Sequence, residues 1–195
     1  MEIRIFQYTQ FTHAEGPGNR ACIQVQGCPI RCPGCAVPQT WPTECGKVVD
    51  TQNLASQILD GPEVEGVTFL GGEPFAQAAA LADLGRQLKQ QGLSIVTFSG
   101  YTLEHIMNAN RNDYDDLLAV TDLLIDGPFL RKKVDYSRPW VGSSNQRFHF
   151  LTNRYLHLAP TLASIPNRIE IRLKPDGRIL INGLAPIDEM KSFIQ

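Results

Sequence analysis

Short apolar runs alternate with amphipathic stretches along the 195 residues. Residues 3–8 and 22–26 read as strands flanking a Gly/Pro loop. Residues 51–59 read as a short helix: Asp50 is placed to cap it, and Leu54, Ile58 and Leu59 share one face. The apolar run 67–70 is a strand, and the Ala-rich stretch 75–91 is a helix closed by Gly92. A strand follows at 93–98, a helix starts at 103–108, and 118–125 ends in another buried strand. Residues 148–151 add a strand candidate. Residues 169–173 and 178–181 alternate around Pro175-Asp176-Gly177, which predicts a hairpin, and 186–194 predicts a terminal helix.

Strands alternating with helices predict an α/β fold with a mostly parallel sheet. A closed eight-stranded barrel takes about 250 residues. The shorter chain predicts a partial, open TIM-like barrel of about six β/α units, with a C-terminal β-hairpin and helix, in a single domain over residues 1–195. An open side would admit a large substrate. Barrel chemistry sits at the C-terminal ends of the strands. Residues 28–35, Gly71-Gly72-Glu73-Pro74, Ser99-Gly100 and Asp126 all follow predicted strands and should meet on one rim.

The net charge of −2 gives no electrostatic case for nucleic acid or a membrane surface. No apolar run approaches the roughly 20 residues that span a bilayer, and residues 1–5 lack signal-peptide character, so the expected location is cytoplasmic. Five cysteines, three of them clustered, suit a reducing compartment and metal ligation better than disulfides.

Cys28, Cys32 and Cys35 have the spacing C-x₃-C-x₂-C. Structural zinc is four-coordinate, so three protein thiolates leave a metal position open for chemistry. A soft thiolate set with no histidine beside it favours an iron–sulfur cluster or zinc. Cys45, in the loop that follows, could close a four-thiolate zinc site, which would make the protein a non-catalytic interaction module. Cys22 reads as a small packed residue in a strand. Glu73 and Pro74, taken alone, could simply open the next helix.

Taken together, the cysteine loop and the later Gly71-Gly72-Glu73-Pro74 resemble the radical S-adenosylmethionine (SAM) enzymes. Residues 15–20 with Gln26-Gly27-Cys28 resemble the G-P-G-x-R … Q-G-C run of glycyl-radical-enzyme activating proteins, and residues 37–41 resemble their N-P-x-T-W. The stretches 122–129, 142–147 and 181–186 resemble the anaerobic ribonucleotide reductase activating branch. Gly34 and Ala36 depart from the aromatic residues common beside the third cysteine.

The resemblance implies that Cys28, Cys32 and Cys35 hold three irons of a [4Fe–4S] cluster whose fourth iron is chelated by SAM. An electron from a flavodoxin- or ferredoxin-like donor would then cleave SAM reductively. The resulting 5′-deoxyadenosyl radical would take a hydrogen from a glycine of a partner enzyme, an anaerobic ribonucleotide reductase. Gly34, Ala36 and the motif Gly71, Gly72, Glu73, Pro74 would contact SAM. Ser99 would reach its ribose or methionine part, with a turn hydroxyl as the alternative, and Asp126 would stand on the rim. A radical SAM enzyme acting directly on a small molecule or peptide stays open, although no appended peptide-binding or second-cluster domain is visible. Residues 131–133 with Arg138 read as a solvated basic loop or a dock for an acidic partner. Arg20 reads as structural, as a salt bridge near the site, or as a partner contact.

Overall fold

The computed structural model describes residues 1–173, 177 and 179–184. Its strands are β1 (Glu2–Thr12), β2 (Arg20–Val25), β3 (Lys47–Asp50), β4 (Gly66–Gly71), β5 (Ser94–Phe98), β6 (Leu123–Asp126) and β7 (Arg147–Phe150). They form one sheet in the order β3-β1-β2-β4-β5-β6-β7. The inner four, β2, β4, β5 and β6, are parallel neighbours. At the margins β1, β3 and β7 pair antiparallel. Among the described residues β3 and β7 do not pair with each other, so the sheet has two edges.

Helices α1 (Thr51–Leu59), α2 (Ala78–Gln90), α3 (Leu103–Asn108) and α4 (Asn112–Val120) lie in the crossovers between parallel strands. There are three such crossovers among the described residues rather than about six, because β1 and β7 run against the inner strands and β3 pairs only with β1, antiparallel. The fold is therefore a mixed α/β one. Parallel strands covered on both faces are buried along their length and mostly apolar: all six residues of β2 and all four of β6 are buried. On one face Ile23, Phe69 and Ile95 pack under Leu54 of α1 and Leu81, Leu84 and Leu88 of α2. On the other, Val96, Leu123 and Ile125 pack with Trp140, Val141 and Tyr155. Cys22 is buried within β2, as its sequence setting suggests.

Asp50 caps α1 as expected. Its Oδ1 accepts from Gln52 N at 2.9 Å and Asn53 N at 3.1 Å. Asp50→Ala should cost about 1 kcal/mol and lower the melting temperature by roughly 2–4 °C, measurable by thermal unfolding of the metal-free protein.

Other elements differ from expectation. The helix placed at 75–91 starts as a 3₁₀ turn, Pro74–Gln77, before α2 begins. The helix opening at Leu103 stops at Asn108, and after Asn110, at φ 51°, the chain restarts as α4. A 3₁₀ run, Asn153–Ser164, follows β7. The expected hairpin forms from β8 (Ile169–Leu173) and β9 (Ile179–Gly183) as a separate two-stranded sheet. Most of its turn and the expected helix at 186–194 lie outside the described residues. Glu170 accepts from His13 N at 2.6 Å and Glu15 accepts from Gly183 N at 2.9 Å, so polar contacts seat the hairpin. Ile171, Leu173, Ile179 and Ile181 are exposed.

Arg20 opens β2 at the end of the sheet remote from residues 28–35 and is fully buried. Its Nε donates to Thr68 Oγ1 at 2.7 Å, and Nη1 to Tyr155 OH at 2.7 Å and Pro17 O at 3.1 Å. Its Nη2 donates to Val67 O at 2.7 Å and Ser94 O at 3.1 Å. No carboxylate pairs with it among the described residues. This corrects the salt-bridge and partner readings: the guanidinium ties β2, β4, β5 and the 3₁₀ run together. No helix among the described residues is long and apolar enough to cross a membrane.

Candidate functional site

The cysteine loop leaves β2 through Gln26 and Gly27 and is pinned at its neck. Gly27 N donates to Thr40 O at 2.7 Å and Cys28 N to Trp41 O at 3.1 Å. The buried Gln26 side chain donates from Nε2 to Gln39 O at 3.0 Å and to Pro42 O at 2.7 Å. Residues 28–41 are thus an excursion whose neck is closed by bonds that involve no thiol, while inside it Val37 N donates to Cys35 Sγ at 3.4 Å. Cys28 is buried, and Cys32 and Cys35 are half-buried. All three line one pocket of about 190 Å³ at the C-terminal ends of the parallel strands. Burial pushes the Cys28 and Cys32 thiols up, so metal binding there would release protons.

The end of β4 forms the facing wall, with Gly71, Gly72, Glu73 and Pro74. A Cβ on Gly71 would lie 2.7 Å from Gln24 Cα, and one on Gly72 would lie 2.3 Å from Gly27 O. Gly72 N donates to Val25 O at 2.8 Å and Glu73 N to Gly27 O at 2.9 Å. Both glycines are therefore required to seat β4 against the neck of the cysteine loop. That role is separate from any approach of a ligand.

Glu73 is buried, and its Oε1 accepts from Phe75 N at 2.9 Å and Ser99 Oγ at 2.9 Å, its Oε2 from Gly100 N at 2.8 Å. It caps the turn that begins at Pro74, so the helix-opening reading also holds. The same carboxylate bridges the ends of β4 and β5. Burial pushes its pKa up to about 7 against the pull of these three donors.

The donor set suits a cluster better than a single ion. Among the described residues no three Cys, His, Asp or Glu side chains converge on one ion position. A four-thiolate zinc site needs every sulfur about 2.3 Å from the metal, but Cys45 is exposed and off the pocket wall. The zinc-module reading fails on that geometry. In a [4Fe–4S] cluster each cysteine binds a different iron, so three thiols spread around one pocket are the required arrangement. Trp41, on the wall, has its indole N–H buried without a partner among the described residues.

Residues 14–149 match the family model described as "4Fe-4S single cluster domain", a span that includes the whole loop and the facing wall. The chain belongs to this family. An anaerobic ribonucleoside-triphosphate reductase-activating protein of Vibrio cholerae is 30% identical over 75% of this chain and 97% of its own. The protein of that description from Escherichia coli K12 is 31% identical over 74% of this chain and 97% of its own. A pyruvate formate-lyase-activating enzyme of Clostridium pasteurianum is 31% identical over 63% of this chain and 50% of its own. The chain is thus a radical SAM activating protein, and its cofactors are a [4Fe–4S] cluster and SAM.

Not every residue singled out from the sequence faces the pocket of this activating protein. Ser99 is on the wall, but its Oγ donates to Glu73 and accepts from Tyr101 N at 3.0 Å, as a turn hydroxyl does. Asp126 is fully buried and turned away. Its carboxylate accepts from Leu103 N at 2.6 Å and Arg147 Nε at 3.0 Å, and Arg147 reaches Glu104 at 2.7 and 2.8 Å. Desolvation raises the Asp126 pKa, but Arg147 and the Leu103 amide outweigh it, leaving the carboxyl below the usual range. Asp126 therefore anchors α3 and β7 rather than touching the pocket. Gly34 and Ala36 are exposed and off the wall. The sequence reading assigned no site role to Phe98, Phe129 or Gln146, which do line the pocket. Two of them fall in stretches that carry the resemblance, 122–129 and 142–147, which was the available signal.

Proposed function

We propose that this activating protein generates the glycyl radical of an anaerobic ribonucleoside-triphosphate reductase. It would do so as a single domain over residues 1–195, in the cytoplasm, with a partial open barrel admitting a loop of the reductase. The observation that carries the reading is one pocket lined by Cys28, Cys32, Cys35 and the Gly71–Pro74 wall. Similarity to reductase-activating proteins over 97% of their length supports the choice of partner.

Cys28, Cys32 and Cys35 would hold the cluster, and Gly71, Gly72, Glu73 and Pro74 would contact SAM. Bound together, cluster and SAM supply a 5′-deoxyadenosyl radical able to take a hydrogen from a glycine Cα. The chain contributes binding, orientation and exclusion of water. Glu73 keeps the Ser99-Gly100 turn against the wall through its hydrogen bonds. Phe98 and Phe129 line the pocket with apolar surface. Asp126 and Arg147 fix the strand end from which Gly127 and Phe129 reach the pocket. Gly34 and Ala36 would offer backbone groups at the rim.

The test uses anaerobically reconstituted protein with SAM and dithionite. Deoxyadenosine should form, and with the reductase present a glycyl radical signal should appear by electron paramagnetic resonance, split by the remaining Cα hydrogen. Deoxyadenosine without any radical on the reductase would overturn the choice of partner and favour a small-molecule or peptide substrate.

A further inference from the structure

We propose that the outer face of the cysteine loop is the docking site of an acidic one-electron carrier protein. The proposal rests on the cluster reading of Cys28, Cys32 and Cys35. Arg31 is exposed within the loop, and Arg131, Lys132 and Lys133 form one exposed 3₁₀ turn beside it. The two segments touch: a Cβ on Gly34 would lie 3.3 Å from the Phe129 ring and 3.5 Å from Arg131 Cδ. None of these four cations forms an ion pair among the described residues, whereas Arg138 and Arg147 are both paired. Because the chain carries a net charge of −2, the patch stands against the overall balance.

Position selects the partner. Electron transfer weakens steeply with distance, so a carrier must approach where the cover over the cluster is thinnest. Pro33 and Gly34, between Cys32 and Cys35, are exposed, and Gly34 adds no side chain. None of the four cations lines the pocket that a partner's glycine must enter. Leu130 and Val134, both exposed, flank the basic turn and supply an apolar contact inside a charged rim. Charge complementarity of this kind speeds encounter and permits release, which a shuttling carrier needs.

The experiment uses the reconstituted protein and an acidic flavodoxin as probe. Binding by calorimetry should weaken at least about tenfold from low to high salt. It should weaken by a similar factor in R131E/K132E/K133E at low salt. Dithionite-driven deoxyadenosine formation by that variant should stay within about twofold of the parent. K132E/K133E, which spares the Arg131 contact with Gly34, should show the same split and guards against damage to the loop. Flavodoxin binding that ignores both salt and the substitutions overturns the proposal. Loss of dithionite-driven reductase activation in K132E/K133E would assign the patch to the reductase instead. Absence of deoxyadenosine from the parent protein with dithionite would sink the cluster reading first, and this proposal with it.

Discussion

Alanine in place of Cys32 is expected to give a folded, colourless protein that forms no deoxyadenosine from SAM. Two thiolates cannot hold a cluster that uses three, so activity should fall to background rather than by a graded factor. The fold should survive. Cys32 is half-buried, and the neck of its loop is held by main-chain bonds at Gly27 and Cys28 and by the Gln26 side chain. Removing a partly exposed group outside the core changes stability by about 0.5 kcal/mol or less. Iron content, visible absorbance and thermal unfolding of metal-free parent and variant decide the matter. A large drop in metal-free stability would mean that the thiol also packs the loop.

Arg20→Ala should have the largest effect on the fold while leaving the pocket chemistry intact in whatever remains folded. Among the described residues the guanidinium has no carboxylate partner, and its neutral acceptors come from four separate segments. Desolvation lowers its pKa, opposed chiefly by Tyr155. Truncation leaves Thr68, Ser94 and Tyr155 facing a void, with a cost of about 3–5 kcal/mol. For a chain of this size that corresponds to about 6–20 °C in melting temperature. Arg20→Lys keeps the charge but not the planar fork and should fall between. Denaturant unfolding of the three metal-free proteins provides the test, and an alanine variant within about 2 °C of the parent would contradict it.

What the sequence revealed tracks how local each signal is. Asp50 before an apolar face is a local instruction, and α1 spans the residues expected. The cysteine loop and the Gly71–Pro74 wall could also be placed, because each follows a buried strand of the same sheet. The direction of β7 was not legible, since an apolar run looks the same parallel or antiparallel. β3 was missed because it is four residues long, half of them exposed, and pairs only through the backbone of β1. The side on which Asp126 projects was hidden for another reason. All four residues of β6 are buried, so no alternation marks which face meets the pocket. Ser99 carried two readings, and only the position of Glu73 decides between them.

The two tryptophans border different cavities. Trp41 lines the sulfur-rich pocket, and Trp140 borders a cavity of about 340 Å³ beside residues 16–19, ahead of β2. Indole emission is extinguished by a nearby strongly absorbing group and spared at a distance. The chain therefore carries its own optical gauge: Trp41 should dim as iron and sulfide are taken up, and more strongly than Trp140 does.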